Sequence, residues 1–389
     1  MFAQSFEQAA EARRAPDGDA RQAIAQRLIE LVGWPESRIP ANERHIVGDV
    51  LLPLVRTADR QLRLRCAEAI SRLHDAPSRL LRYLACDEID IARCILLEYP
   101  SFKDVDALVV VQQATPAHWR LLATRRDLTP GVCNALVETR DDATLDALLQ
   151  NLDAPIAAMT LETLAGLAEQ RRRLIPLLLD RPEMRPAQGL GLFWRANHQD
   201  RLRALSRFGV DRTVLSRELV DLFVRAVVEG WNDAPALHAL GFLERRQRRR
   251  GRGEELTLES LVEHCHAKGA VDAEDLGSIA AICGLTPVTV EKVLFDPGGE
   301  PFAVLAKSVG LRRGPTERLW RALDADVTAP DDRSKPFGRM LYVYQTLPNA
   351  KAQTVLRYWN WSLTAAALAG AGAEGRSRIE ELLAQRYRG

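Results

Sequence analysis

The sequence lacks several features that would assign it to a familiar class. No apolar run reaches the roughly 18 to 20 residues that a membrane-spanning helix needs, and residues 1–21 have no apolar core behind a basic end, as a secretory signal would. None of the six cysteines is spaced as CxxC, so neither a zinc ribbon nor a thioredoxin-type centre is indicated. We therefore expect a cytoplasmic protein with reduced thiols, no cofactor and no metal site.

An excess of one charge is also missing. The chain has 53 basic and 52 acidic residues, a formal net charge of +1, so no global field makes nucleic acid the default partner. Lysine is scarce: six of the 53 basic residues are Lys, which leaves 47 Arg. This bias indicates a GC-rich bacterial genome or, alternatively, functions that need the bidentate contacts of arginine.

Strand patterns are almost absent, whereas apolar residues recur at helical spacing through nearly the whole chain. In residues 59–73 the stripe includes Leu62, Cys66 and Ile70, and in residues 87–99 it includes Ile95 and Leu96. Short helical patterns follow one another, separated by Pro, Gly or Asp. The sequence therefore predicts an all-α protein.

Two of these segments align with an offset of 28 residues. Asp59 with Cys66 corresponds to Asp87 with Cys94, and each Asp is expected to cap the helix that follows it. Helices of about ten residues are too short to be stable alone in water, so they must stack on their neighbours. A run of such helices is typical of an α-solenoid.

Residues 87–151 carry a family resemblance. They contain, in order, an acidic start, an Arg-Cys helix, a Pro-Ser break, an Asp-Val-Asp-Ala-Leu helix, a His-Trp helix and an Ala-Leu-Val helix. This order resembles a HEAT-like repeat family of uncharacterised bacterial proteins, domain of unknown function 2336. The resemblance covers residues 20–200 well and the remainder loosely. It implies a fold and a bacterial source, and it includes no catalytic motif.

Four parts of the chain are predicted. Residues 1–20 are expected to form a flexible N-terminal tail, and residues 21–243 a HEAT-like helical repeat domain with a longer apolar helix at 211–229. Residues 244–255 are expected to form an Arg-rich loop or linker. Residues 256–389 are expected to form a helical C-terminal domain.

The C-terminal part contains a second internal repeat, which predicts tandem helix-turn-helix-like pairs. Gly284 and Gly310, 26 residues apart, fit the left-handed position that ends a helix, and Thr286 fits the cap of the next one. The first pair resembles the helix-turn-helix of bacterial repressors, in which the second helix enters the major groove. Its second helix has Glu291 beside Lys292 and no Arg, Asn or Gln to bind base edges, which favours a packing unit; DNA binding remains the alternative.

An arginine cluster is the candidate site for a partner or a phosphate group. Six of eight consecutive residues are Arg, and without them the net charge would fall from +1 to −5. The alternative is a solvated loop. The six residues are Arg245, Arg246, Arg248, Arg249, Arg250 and Arg252.

Other chemistry-bearing groups have simpler explanations. His264-Cys265-His266 could bind a metal, but side chains two residues apart on a helix diverge. Asp141-Asp142 and Asp331-Asp332 could serve as an acid and a base, but both precede helical patterns and are expected to cap helices. A late aromatic group is expected to be core, with a partner anchor as the alternative. It comprises Tyr342, Tyr344, Tyr358, Trp359 and Trp361.

These patterns favour a non-enzymatic function. No nucleophile triad, phosphate-binding loop or dinucleotide fingerprint is present in the sequence. We expect a protein-binding scaffold or regulatory protein that presents a helical-repeat groove to a protein partner. The alternative is a nucleic-acid-binding regulator that uses the arginine cluster and the helix-turn-helix-like pairs.

Overall fold

The computed structural model describes residues 21–35, 38–209, 258–323, 327 and 330–370. Within these ranges the regular structure is entirely helical, which confirms the predicted all-α fold. No single helix in them is long and apolar enough to cross a membrane; two consecutive helices pass that test only when taken together. The chain divides into two compact units, Met1–Glu183 and Met184–Gly389.

The described part of the first unit is a succession of short helices. Residues 21–32 form α1. The next helices are α2 (Ala41–Arg56), α3 (Arg60–Ser71), α4 (Ser78–Ala85), α5 (Ile89–Glu98), α6 (Asp104–Gln113), α7 (Pro116–Ala123), α8 (Pro130–Glu138), α9 (Asp142–Gln150), α10 (Ala158–Gln170) and α11 (Leu174–Asp180).

These helices stack in two layers. Helices α2, α4, α6, α8 and α10 pack in succession in one layer, and α3, α5, α7, α9 and α11 in the other. Helix α1 lies beside α3: Gln22 donates a hydrogen bond to Asp59 at 3.1 Å, and Gly33 lies close to Ala69. The predicted helical array, α1–α11, is therefore present in this unit.

The apolar stripes read from the sequence form the core of the array. Cys66 and Ile70 on α3 and Leu96 on α5 are fully buried. Asp59 caps α3 as expected, since its carboxylate accepts a hydrogen bond from the Leu62 amide at 2.7 Å. Its counterpart Asp87 does not cap α5 as expected, because Glu88 occupies that position and Asp87 forms an ion pair with Arg63 of α3 instead.

A ladder of polar side chains connects successive loops on one side of the array. Arg125, after α7, donates to the carbonyls of Leu96 and Tyr99 at 2.8 Å each. Asn151, after α9, donates to the carbonyls of Ala123 and Arg125 at 2.9 and 2.6 Å.

The ladder continues at both ends. Arg181, after α11, donates to the carbonyls of Asn151 and Ala154 at 2.6 Å each, and the Tyr99 hydroxyl accepts from the Ala76 amide at 3.1 Å. Each member thus binds the backbone of the loop one repeat earlier. We call Tyr99, Arg125, Asn151 and Arg181 the backbone ladder.

The second unit is also helical where the structure describes it. Its elements are α12 (Pro186–Leu192), a 3₁₀ turn (Phe193–Arg195), α13 (His198–Phe208), α14 (Leu258–Lys268), α15 (Ala273–Cys283), α16 (Pro287–Leu294), α17 (Glu300–Ser308), α18 (Arg313–Ala322), α19 (Pro336–Thr346) and α20 (Asn349–Gly370).

Helices α12 and α13 fall within the predicted repeat domain, 21–243, but belong to the second unit. Helix α12 packs on α20, and the Trp359 indole donates a hydrogen bond to the Leu190 carbonyl at 3.2 Å. This contact spans 169 residues of chain, so no local pattern could predict it. The predicted tail 1–20, the helix at 211–229 and the linker 244–255 lie outside the described residues.

The tandem pairs of the second unit have the predicted turns. Gly284 and Gly310 adopt φ of 73° and 74°, the left-handed region, at the ends of α15 and the α17 segment. In both turns the amide after the glycine, of Leu285 or Leu311, donates to a carbonyl five residues earlier at 2.9 Å. The two pairs therefore end their first helices with the same motif.

Candidate protein-binding face

The first helix pair of the array is covered on one side by the next pair. On α2, His45 contacts Asp75 at 3.4 Å and Asp49 forms an ion pair with Arg79 of α4 at 3.5 Å. A β-carbon at Gly48 would collide with the ring of Pro77, which shows how closely the two segments approach. This side of α2 therefore faces α4.

The opposite sides of α1 and α2 are apolar too. Because successive helical residues are separated by about 100°, Val47, Val50 and Leu54 lie on the side of α2 that points away from α4. On α1, the residues on the side opposite α3 are also apolar. We call these six side chains the end face: Ile24, Leu28 and Leu31 of α1, and Val47, Val50 and Leu54 of α2.

The end face is substantially open to solvent. Ile24 is 54% exposed and Val50 is 56% exposed, and Ile46 at the edge of the face is 64% exposed. The other four side chains of the face are half-buried. Helices α1 and α2 are the first pair among the described residues, and a helix pair that no repeat covers normally has a polar outer side. A contiguous exposed apolar surface is a candidate interaction site.

On the sides of the array, charged residues pair between neighbouring helices. Arg60 of α3 binds Asp90 of α5, Arg82 of α4 binds Asp106 of α6, and Arg173 beside α11 binds Asp146 of α9, each at 2.6 Å. Each pair joins neighbouring helices of one layer. These charges therefore connect the repeats to one another.

A buried ionic cluster in the second unit is a second candidate. Glu300, only 1% exposed, accepts from His198 Nδ1 at 2.7 Å and from Arg201 at 2.9 Å. Arg201 also binds both carboxylate oxygens of Asp296, at 2.6 and 3.0 Å. Burial lowers the pKa of Arg201, but these two carboxylates outweigh it and hold that pKa above its ordinary value.

The cluster connects α13 to the loop that precedes α17. A β-carbon at Gly298 would collide with the Arg201 guanidinium and the Glu300 carboxylate, so a larger residue there would require the side chains of the cluster to shift. Sequence reasoning missed this cluster; the only local signal is the Asp-Pro-Gly-Gly-Glu run at 296–300. Because its acidic and basic groups pair with one another, we interpret it as a structural element of this unit.

A family comparison covers most of the chain. Residues 91–357 match DUF2336, described as an uncharacterised protein conserved in bacteria. The chain belongs to this family. The DUF2336 region extends across both units and begins after the end face, and the family name does not state a HEAT-like repeat. No curated protein and no solved structure matches the chain.

Within the DUF2336 region, helix α16 shows a surface unlike that of a recognition helix. Its exposed residues include Val288 (43%), Glu291, Lys292 and, directly after it, Phe295 (51%). The Lys292 ammonium lies 5.0 Å from the centre of the Trp194 ring, a cation–π contact within the unit. These features support a packing unit and leave few groups that could bind base edges.

The side chains of the His264-Cys265-His266 metal candidate do not converge. His264 and His266 are exposed, whereas Cys265 between them is fully buried. Burial, helped by nearby Asp275, raises the pKa of Cys265 to about 11, and burial raises the pKa of Cys66 to about 12. Such thiols stay protonated and are poor nucleophiles. Among the described residues, no His, Cys, Asp or Glu group is arranged to hold a metal ion.

The paired aspartates have different roles. Asp141 caps α9, accepting from the Thr144 amide at 2.9 Å, which confirms the capping interpretation. Asp142 instead binds Arg171 at 2.7 Å. Asp332 accepts from the Ser334 amide at 2.9 Å, in the turn before α19, and does not cap that helix.

The late aromatic group contributes to the core of the second unit. Trp359 is fully buried, with its ring 4.7 Å from Phe193 and 4.9 Å from Trp194 between centroids. Tyr358 is buried, and the Tyr344 hydroxyl donates to the Leu311 carbonyl at 2.8 Å. The core interpretation is therefore supported for these residues.

The remaining candidate site cannot be placed. The cluster predicted to bind a partner or phosphate, Arg245, Arg246, Arg248, Arg249, Arg250 and Arg252, lies outside the described residues.

Proposed function

We propose that this DUF2336 protein is a non-enzymatic protein-binding scaffold, and that its helical array binds a protein partner at the end face. The observation that carries the proposal is the exposed apolar surface of α1 and α2, the first described pair of the stacked array. A partner that presents an apolar helical surface would continue the stack.

We further propose that the array is HEAT-like. Two observations support this: its helices alternate between two layers, and the backbone ladder repeats from one helix pair to the next. In an array of this kind each repeat stacks only on its neighbours, so a partner surface could stack on α1 and α2 as a repeat does. The helical-repeat groove expected from the sequence stays a second proposed binding surface of the array.

The size of the interaction can be bounded from the exposed side chains. Full burial of a Val or Ile side chain contributes about 1.5–3 kcal/mol. Ile24, Ile46 and Val50 are each more than half exposed, so covering all three would gain roughly 3–5 kcal/mol before the entropy of association is subtracted. Because association costs about 4–15 kcal/mol, the half-buried side chains of the face and the polar contacts around it must contribute to a complex as well.

Site-specific photo-crosslinking in the bacterium of origin would test the proposal. A photoreactive amino acid at position 50 should yield covalent protein adducts. The matched control is position 105, a Val on α6 that is 58% exposed, compared with 56% for Val50. Adducts at 50 that are absent at 105 would support the end face, whereas no adduct at 50, or equal adducts at both, would contradict it.

A nucleic-acid-binding regulator is the second candidate, because α15 and α16 cross at 108° around Gly284, within the range of helix-turn-helix motifs. Against it stands the surface of α16. We expect only weak, non-specific DNA binding, no tighter than about micromolar at physiological salt, and its loss when the six cluster arginines are changed to Ser. Nanomolar binding to a defined sequence would promote this candidate over the scaffold.

A further inference from the structure

We propose that the partner at the end face is a second copy of this chain, so that the α1–α2 surfaces of two arrays join about a two-fold axis. The inference rests on the proposed function, since it names the partner of the same surface. It requires that the end face be complementary to itself, as a two-fold interface must be.

The construction of the face favours a copy of itself. Inside the array, each helix pair is covered by another pair of similar length and apolar character, as α1 and α2 are covered by α3 and α4. A second end face supplies such a surface: two consecutive helices with large aliphatic side chains, of which Ile24 and Val50 project into solvent. Two copies would therefore cover each other with the same kind of contact that joins neighbouring repeats.

The charges beside the face are compatible with this arrangement. Arg27 and Glu30 of α1 lie next to the apolar residues and form a pair at 3.0 Å, with their side chains 82% and 61% exposed. If α1 runs antiparallel to its copy with Leu28 near the axis, Arg27 of each copy approaches Glu30 of the other. Opposite charges then meet on both sides of the axis, and no like charges oppose each other there.

The size of the face sets the expected strength. Helix α2 has 16 residues, which corresponds to about 24 Å of length. Because neighbouring helix axes lie about 8–10 Å apart, the face formed by two helices has an area of roughly 500 Å² on one chain. A dimer would therefore bury roughly 1,000 Å² over both copies. This is close to the lower limit of specific interfaces, so the dimer should be weak and reversible.

Sedimentation velocity of the full chain, from about 1 to about 200 µM, tests the proposal over the range that brackets a micromolar dissociation constant. The wild-type protein should shift from one chain mass towards two. Val50→Glu should weaken dimerisation at least about tenfold, because it places a charge in the centre of the apolar contact. Val105→Glu, the same change at an equally exposed helix position, should leave the dimer unaffected.

A second variant guards against a local folding effect. Ile24→Glu alters the face from α1 and should reproduce the loss seen with Val50→Glu, while thermal melting of both variants stays close to that of the wild type because the side chains are exposed. A protein that stays monomeric at all concentrations would overturn the proposal. So would a dimer that both variants leave unchanged.

Crosslinking separates this inference from the proposed function. Adducts of position 50 at twice the chain mass support the second copy. Adducts with a different protein, or with residues 1–20 of the same chain, overturn the second copy; the first of these outcomes would retain the scaffold. Absence of any adduct at position 50 would overturn both.

Discussion

The backbone ladder can be tested at Arg125. Its guanidinium, only 7% exposed, donates to the carbonyls of Leu96 and Tyr99 and pairs with Asp127 at 2.7 Å. Arg125→Met keeps the apolar stem but removes all five donors, leaving two carbonyls without their partner. Each buried group left unsatisfied costs about 1–3 kcal/mol, so after partial compensation by the Met side chain we expect a loss of about 3 kcal/mol in the free energy of unfolding.

Equilibrium unfolding in urea, followed by circular dichroism, measures this loss. For a unit of this size, about 1 kcal/mol corresponds to about 2–4 °C, so the melting temperature should fall by roughly 6–12 °C. Arg126→Met is the matched control: Arg126 is the next residue, is 89% exposed and pairs with Asp153 at 3.6 Å, so its loss should stay within about 0.5 kcal/mol.

A lysine substitution separates geometry from charge. The ammonium of Arg125→Lys keeps the charge but cannot donate in the planar fork that reaches two carbonyls and a carboxylate, so an intermediate loss is expected. If Arg125→Met and Arg126→Met lower the unfolding free energy equally, the ladder does not stabilise the array. If the lysine variant equals wild type, charge alone accounts for the effect.

Further outcomes follow from the core and the helix ends. Leu96→Ala should lower the unfolding free energy by roughly 2–5 kcal/mol, since Leu96 is fully buried; a near-zero change would place it outside the core. Gly284→Val should cost about 1–2 kcal/mol in urea unfolding, because Gly284 has a φ of 73°; unchanged stability would contradict the left-handed turn.

At pH 7, Asp141→Ala should cost about 0.5–2 kcal/mol as a lost cap. Hydrogen bonds from Arg120 hold the pKa of Asp141 below its ordinary value, so its stabilisation is complete above about pH 4 and is lost as the carboxyl protonates. Urea unfolding at pH 7 and pH 3 should therefore show the difference between variant and wild type shrinking in acid, and a difference that grows would refute the assignment.

Much of the fold could be predicted because it depends on local patterns. The stripe that contains Ile70 and Leu96 follows from helical periodicity, and the turns at Gly284 and Gly310 follow from the need for a left-handed residue. The capping role of Asp87 was predicted wrongly. Its segment aligns with that of Asp59, but the alignment could not show that Arg63 lies close enough to bind it.

The long-range polar contacts could not be predicted. The contacts of Arg181 span 27 and 30 residues, and Arg201 meets Glu300 across 99. Only the excess of Arg over Lys hinted at them, and it also fits a genomic bias. At Arg125 and Arg181 the planar fork binds two carbonyls at once, which lysine cannot do in the same way.

The end face illustrates a different limit of sequence reasoning. Helical periodicity shows that α1 and α2 have apolar residues on more than one side, but it does not show which side another helix covers. That answer depends on the order of packing: α1 lies beside α3, and α2 beside α4. The exposure of Val50 therefore depends on how the helices pack and does not follow from the local pattern.

The backbone ladder also governs how such a chain can change in length. Tyr99, Arg125 and Asn151 stand 26 residues apart, and each binds the loop one repeat earlier. Arg181 binds the preceding loop from 30 residues beyond Asn151, so this segment accommodates four more residues than the others without losing the contact. Duplication or removal of a whole repeat would offer each side chain an equivalent loop. We therefore expect large changes in the length of such an array to come from whole repeats, and changes of a few residues to be absorbed between the ladder side chains.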